Sequence, residues 1–249
     1  NQDLNKEIKS NTLIKKDEKY YTTISNYKER NKVFDDKKII YCTDEISQSN
    51  PLNLWLSNNR EVLKADPLID AQFIPWLESK NEDFQFQRVD SEISEDKNED
   101  QPEIVDKDGK SNADYLKEII SSALDNEKVT VKLQSIKSDD APPALILLPE
   151  QMRRINDMGA FMEQKLPGLP EYHVLLINKE HPLITGLKNL SNKKILLKGK
   201  ENGEDLLSKK IVTQIYEMAK LSVGGMDQKD LHNLQINNAE LITELLNSK

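Results

Sequence analysis

The sequence predicts an α/β (α+β) protein: a small, mostly parallel α/β sandwich, followed by a mixed α/β domain that ends in a helical bundle. Three observations carry this expectation. Short β-rich runs alternate with amphipathic stretches between Lys38 and Asp90, the pattern expected of βαβ units. Residues 93–110 form an acidic, apolar-poor break, where too little apolar area is present to offset chain entropy, so a linker is expected. In residues 111–249 the periodic pattern resumes, and past Glu204 two long segments carry apolar residues at helical spacing.

Taken in order, residues 1–18 are polar, lack an apolar period and read as a lead-in. Ser25, followed by Tyr27, Glu29 and Arg30, opens a short helix, and Lys38–Thr43 is a compact β-rich run ended by Asp44 and Glu45. Pro51–Asn59 reads as a helix with Leu52, Trp55 and Leu56 on one side, and Glu61–Lys64 as a short strand. Asp70–Lys80 is a helix with Phe73, Ile74 and Leu77 inward, and Phe84–Asp90 alternates like a strand.

Beyond the break, Ser111 caps a helix that carries Tyr115, Leu116, Ile119, Ile120, Ala123 and Leu124. Val129, Val131 and Leu133 alternate with polar residues in a half-buried strand, and Ala144–Leu148 is another, set off by Pro142 and Pro143. His173–Asn178 is a buried strand and Pro182–Leu190 a short helix, whereas Lys193–Gly203 is ambiguous between a β-hairpin and an excursion. Glu204–Leu221 is a helix with Leu207, Ile211, Ile215, Met218 and Leu221 in one stripe, ended by Gly224 and Gly225. Asp227 caps a last helix bearing Leu231, Leu234, Leu241, Ile242 and Leu245. Two such helices joined by a tight turn can cover a domain or pair with a second copy as a four-helix bundle.

Between these elements lies Pro149–Met162, PEQMRRINDMGAFM, in which Met152, Ile155, Met158, Phe161 and Met162 recur at three-to-four-residue spacing. Methionine is unbranched and polarizable, so this face suits a surface that accepts differently shaped apolar partners. An ordinary buried helix has the same spacing, and both readings stay open. Arg153 and Arg154 beside the stripe read as a solvated face in preference to an anion site.

Composition removes several function classes. The 249 residues carry 35 Lys and Arg against 43 Asp and Glu, a formal charge of -8, so no net positive field favours nucleic acid. Mean hydropathy is -0.69 and no apolar run approaches the roughly 18 residues of a membrane span. The lone cysteine, Cys42, forms no internal disulfide, which fits a reducing, cytoplasmic location. The first residue is Asn1, so the chain is expected to be a piece of something longer.

Catalytic chemistry is hard to find. Gly199 and Gly203 lack the Lys-Ser/Thr and the strand-to-helix context of a phosphate cradle. His173, His181 and His232 have no carboxylate or cysteine at ligand spacing, so no metal site is expected. Cys42 reads as a small buried hydrophobe, and Asp139 and Asp140 as loop solubilisers.

Five stretches in order, TDE (43–45), FIPWLESKNEDFQFQRVDS (73–91), PEQMRRINDM (149–158), HVLLINKEHPL (173–183) and QIYEMAKLS (214–222), resemble the C-terminal half of the bacterial HtpG chaperones. These are the prokaryotic branch of the 90-kilodalton heat-shock proteins. The resemblance runs from about Tyr20 to the end. It implies that residues 1–92 are the last α/β portion of the middle domain and that residues 111–249 are the C-terminal dimerisation domain. ATP and magnesium would then be bound only by an upstream domain, and this part of the chain would be neither an enzyme nor a cofactor binder. Three departures stand out: extra length at Lys193–Gly203; LQINNAEL (234–241) where the family more often has an aromatic-isoleucine pair followed by arginine; and the ending ELLNSK. The last lacks the acidic pentapeptide of eukaryotic relatives, so tetratricopeptide co-chaperones are not expected as partners.

The expectation is a homodimer joined through Leu207, Ile211, Ile215, Leu234, Leu241 and Leu245, with Met158, Phe161 and Met162 contacting non-native client proteins. The alternative is a homodimeric scaffold that binds no client. A small-molecule α/β enzyme is the least favoured reading, because no catalytic constellation emerges.

Overall fold

The computed structural model describes residues 9–14, 19–34, 37–66, 69–91, 111–136, 141–149, 154, 169, 171–196, 204–223 and 225–247. The chain divides into two compact units, Asn1–Ser91 with Leu148–Leu166, and Glu92–Leu147 with Pro167–Lys249. The class is mixed α/β, as the sequence predicts.

In the first unit the described elements are β1 (Lys9–Ile14), β2 (Lys19–Thr23), α1 (Ile24–Arg30), β3 (Lys38–Cys42), α2 (Ser49–Ser57), β4 (Val62–Lys64), α3 (Asp70–Lys80) and β5 (Gln85–Arg88). The strands form one sheet in the order β2-β1-β4-β3-β5. β3 lies parallel to both β4 and β5, the arrangement expected when helices intervene. Where the sequence suggests a lead-in, residues 9–14 instead pair antiparallel with β2 and with β4. The short helix is capped two residues earlier than expected: Thr23, not Ser25, is its cap, its hydroxyl accepting from Asn26 N at 3.2 Å.

Strand alternation divides the core between the two faces of this sheet. Ile39, Tyr41, Leu63 and Phe86 pack with Tyr27, Ile74 and Leu77 from α1 and α3. Ile40, Cys42, Val62 and Val89 pack with Leu52, Trp55 and Leu56 from α2. Tyr27 locks the first cluster, since its hydroxyl donates to Glu61 O at 2.9 Å and accepts from Ile40 N at 3.1 Å while the side chain is buried. Tyr27→Phe removes both bonds in a dry site and is expected to cost about 1–3 kcal/mol, read as a lower urea midpoint. An unchanged midpoint refutes that role for the hydroxyl.

The second unit contains α4 (Asn112–Leu124), β6 (Val129–Gln134), β7 (Ala144–Leu147), β8 (His173–Asn178), α5 (Pro182–Leu196), α6 (Glu204–Ser222) and α7 (Gln228–Asn247). Ser111 and Asp114 form a reciprocal capping box at the start of α4, satisfying two backbone donors that the first turn leaves open. β8 is central, parallel to β6 and antiparallel to β7, and all six of its residues are buried. Asn178 is polar yet buried because its side-chain oxygen accepts from Ile136 N and Glu180 N. α5 runs on to Leu196, so Lys193–Leu196 is helical where a hairpin was one alternative; residues 197–203 lie outside the described residues. No helix among the described residues is long and apolar enough to cross a membrane.

Candidate functional site

The terminal helices present the strongest candidate. α6 packs on α4, α5 and β7, and α7 packs back along α6. Asp227 caps α7, its carboxylate accepting from Asp230 N at 2.7 Å. Gly225 N donates to Lys220 O at 2.9 Å and closes α6. Three polar rungs then tie the antiparallel pair: Lys210 to Glu244, Asn237 to Glu217, and Lys220 to Asp230 at 2.7 Å. Their partly exposed ion pairs fix the register more than they stabilise the fold.

With that seam fixed, the apolar residues sort into two sets. Val212, Ile215 and Ala219 of α6 and Leu234 of α7 are buried within the chain, Ile215 at 4% exposure. Met218, Leu221, Val223, Leu231, Ile236, Ile242 and Leu246 are exposed, Leu221 at 48% and Ile242 at 57%. Leu231, Ile242 and Leu246 share a face of α7, being eleven and four residues apart on a helix of 3.6 residues per turn.

Of the residues expected at a dimer contact, Ile215 and Leu234 therefore face the chain's own interior, and Leu207, Ile211 and Leu241 are half-buried. Leu245 sits on α7 with its side chain outside the described ones. Met218 and Leu221 stand in the predicted α6 stripe, and Leu231 and Ile242 in the α7 stripe, outside the set expected at the dimer contact. Leu246 and Ile236 lie outside the stripes that periodicity picked. Met158, Phe161 and Met162, expected to contact clients, lie outside the described residues, as do Met152, Ile155, Arg153, Asp139 and Asp140.

Arg154 is described, and it corrects the expectation of a solvated face. Its guanidinium grips the Glu78 carboxylate through both terminal nitrogens, Nη1 to Oε2 at 2.7 Å and Nη2 to Oε1 at 3.0 Å.

A profile of the Hsp90 protein family matches residues 4–248. The chain belongs to the Hsp90 family. A comparison with curated proteins returned no match. Within this Hsp90 chain, no group of three or more metal-ligating side chains occurs among the described residues. Cys42 is the one cysteine, fully buried, its thiol donating to Gln48 Oε1 at 3.1 Å. Burial, partly countered by the Asp44 backbone and reinforced by the Glu45 and Asp90 charges, pushes its pKa up to about 12. Below about pH 8.5 the thiol keeps its proton in both states and does not make folding pH-dependent; from there up to the raised value only the unfolded state loses the proton, so stability falls as pH rises. Buried and held as the neutral thiol, Cys42 is expected to be labelled by iodoacetamide only after denaturation. Fast labelling of the native chain disproves this.

His173 has an equally local role. Its Nε2 lies 2.9 Å from the Tyr216 hydroxyl and the two rings stack, joining β8 to α6.

Proposed function

We propose that this Hsp90-family chain is the C-terminal part of a bacterial HtpG-type molecular chaperone and joins two protomers through its terminal helices. Residues 1–92 correspond to the end of the middle domain, 93–110 to a linker and 111–249 to the dimerisation domain. The observation that supports the dimer is the exposed apolar set on α6 and α7, which two-fold symmetry would bury against itself. The Met-rich stretch containing Met158, Phe161 and Met162 is the proposed client surface, supported by its composition and by the family. A dimer would offer two such surfaces and so hold non-native chains through avidity.

Sedimentation equilibrium tests the reading. The chain is expected to be a dimer at low micromolar concentration and to sediment with a reduced, denatured probe protein. A dimer that ignores the probe leaves the scaffold alternative, and a monomer overturns the proposal. Calorimetric titration with ATP and magnesium is expected to give no saturable heat, since the proposed nucleotide site lies in another part of the protein.

A further inference from the structure

In the second unit, the central strand passes into α5 through a turn closed by a histidine. β8 ends at Asn178, and α5 begins at Pro182. Asn178 fixes the turn between them: its side-chain oxygen accepts from Ile136 N and Glu180 N, and its carbonyl from His181 N at 3.2 Å. His181 then occupies the position of a helix cap. Its carbonyl accepts from Ile184 N and Thr185 N, both at 3.0 Å, and its ring Nδ1 accepts from Leu183 N at 3.1 Å. Pro182, at the first helical position, has no N–H to satisfy. Caps are usually Ser, Thr, Asp or Asn, whose oxygens go on accepting through the neutral and mildly acid range. An imidazole nitrogen accepts only while it carries no proton.

We propose that His181 is a pH-sensitive cap, which holds the first turn of α5 at neutral pH and releases it in mild acid. A proton on Nδ1 turns the acceptor into a donor facing the Leu183 N–H, and it places a positive charge where the helix dipole is already positive. The ring must then swing away and leave Leu183 N to water. Opening stays local, because Ile184 and Leu187, each at 1% exposure, anchor α5 in the core. Lys179 and Glu180 flank the ring in the turn, with Glu180 Oε1 accepting from the Ser135 hydroxyl at 2.9 Å, and Lys188 follows on α5. On α6, which packs against α5, Lys210, Glu217 and Lys220 are engaged by α7, and Lys209 is exposed. Burial, with no charge among these residues contributing, holds the His181 pKa below its ordinary value. The released ring therefore takes a proton near pH 6.5 and the capping ring only at lower pH. The cap is at full strength above about pH 6.5 and is lost as pH falls through the lowered value.

The test is amide exchange on the full chain, with the intrinsic pH dependence of exchange divided out, together with an NMR titration of the histidine rings. Protection of Leu183 is expected to be level between about pH 8 and 7 and to fall about fivefold by about pH 5, the worth of one cap. His181→Asn, which supplies an acceptor that does not titrate, is expected to keep that protection across the whole range. His181→Ala is expected to show the low protection at every pH. Both variants retain His173 and His232, so an acid effect arising at either of those survives in them. The His181 ring of the parent is expected to titrate below about pH 6.5. Level protection of Leu183 in the parent overturns the proposal, as does a His181→Asn chain that loses protection in acid as the parent does. A His181 ring that titrates at or above the free value overturns it too.

Discussion

Leu221→Asp combined with Ile242→Asp is expected to turn the proposed dimer into a folded monomer. Both side chains are about half exposed in the isolated chain, so neither carboxylate disturbs the core. Burying a leucine or isoleucine contributes about 1.5–3 kcal/mol, and a two-fold axis counts each twice, against about 8 kcal/mol for a micromolar dimer. Placing four carboxylates in that contact adds a desolvation cost. Sedimentation should report a monomer at low micromolar concentration, while surface substitutions keep stability within about 0.5 kcal/mol. A variant that stays dimeric and folded puts the interface elsewhere.

Ile215→Asp is expected to behave differently and to unfold the second unit. Helical spacing alone groups Ile215 with Leu207 and Ile211, which makes it look like an interface residue. In the folded chain it is 4% exposed, alongside buried Val212 and Ala219 on the inner side of α6. An unpaired carboxylate there costs several kcal/mol, a large share of the roughly 5–15 kcal/mol that holds a domain together. Near-ultraviolet circular dichroism and a thermal melt should show a lost or strongly lowered transition. Ile215→Val, which removes one methylene, is expected to cost only about 0.5–1.5 kcal/mol. If the aspartate variant melts with the parent, Ile215 is not a core residue.

Signals that act within one or two turns were legible in the sequence. The Ser111 cap, the bounds of α3 and the alternation of Val129–Val131 follow from periods of 3.6 and 2 and from local capping chemistry, whereas Lys132, Leu133 and Gln134 are all half-buried. The burial of Cys42 was legible too, although it ends β3 and does not sit in the middle of the strand.

What the tertiary structure alone decided involves partners distant in sequence. The polar residues 9–14 are a strand because β2 and β4 supply the hydrogen bonds, not because their own pattern demands one. Arg154 reads as solvated until the chain's return to the sheet brings it against Glu78. The stripes of α6 and α7 illustrate the same limit. Periodicity shows that a helix has an apolar side, but each of these helices has several neighbours, and only packing divides that side between the chain's own core and whatever lies outside. Ile215 and Leu234 went inward, and Leu221 and Ile242 stayed out.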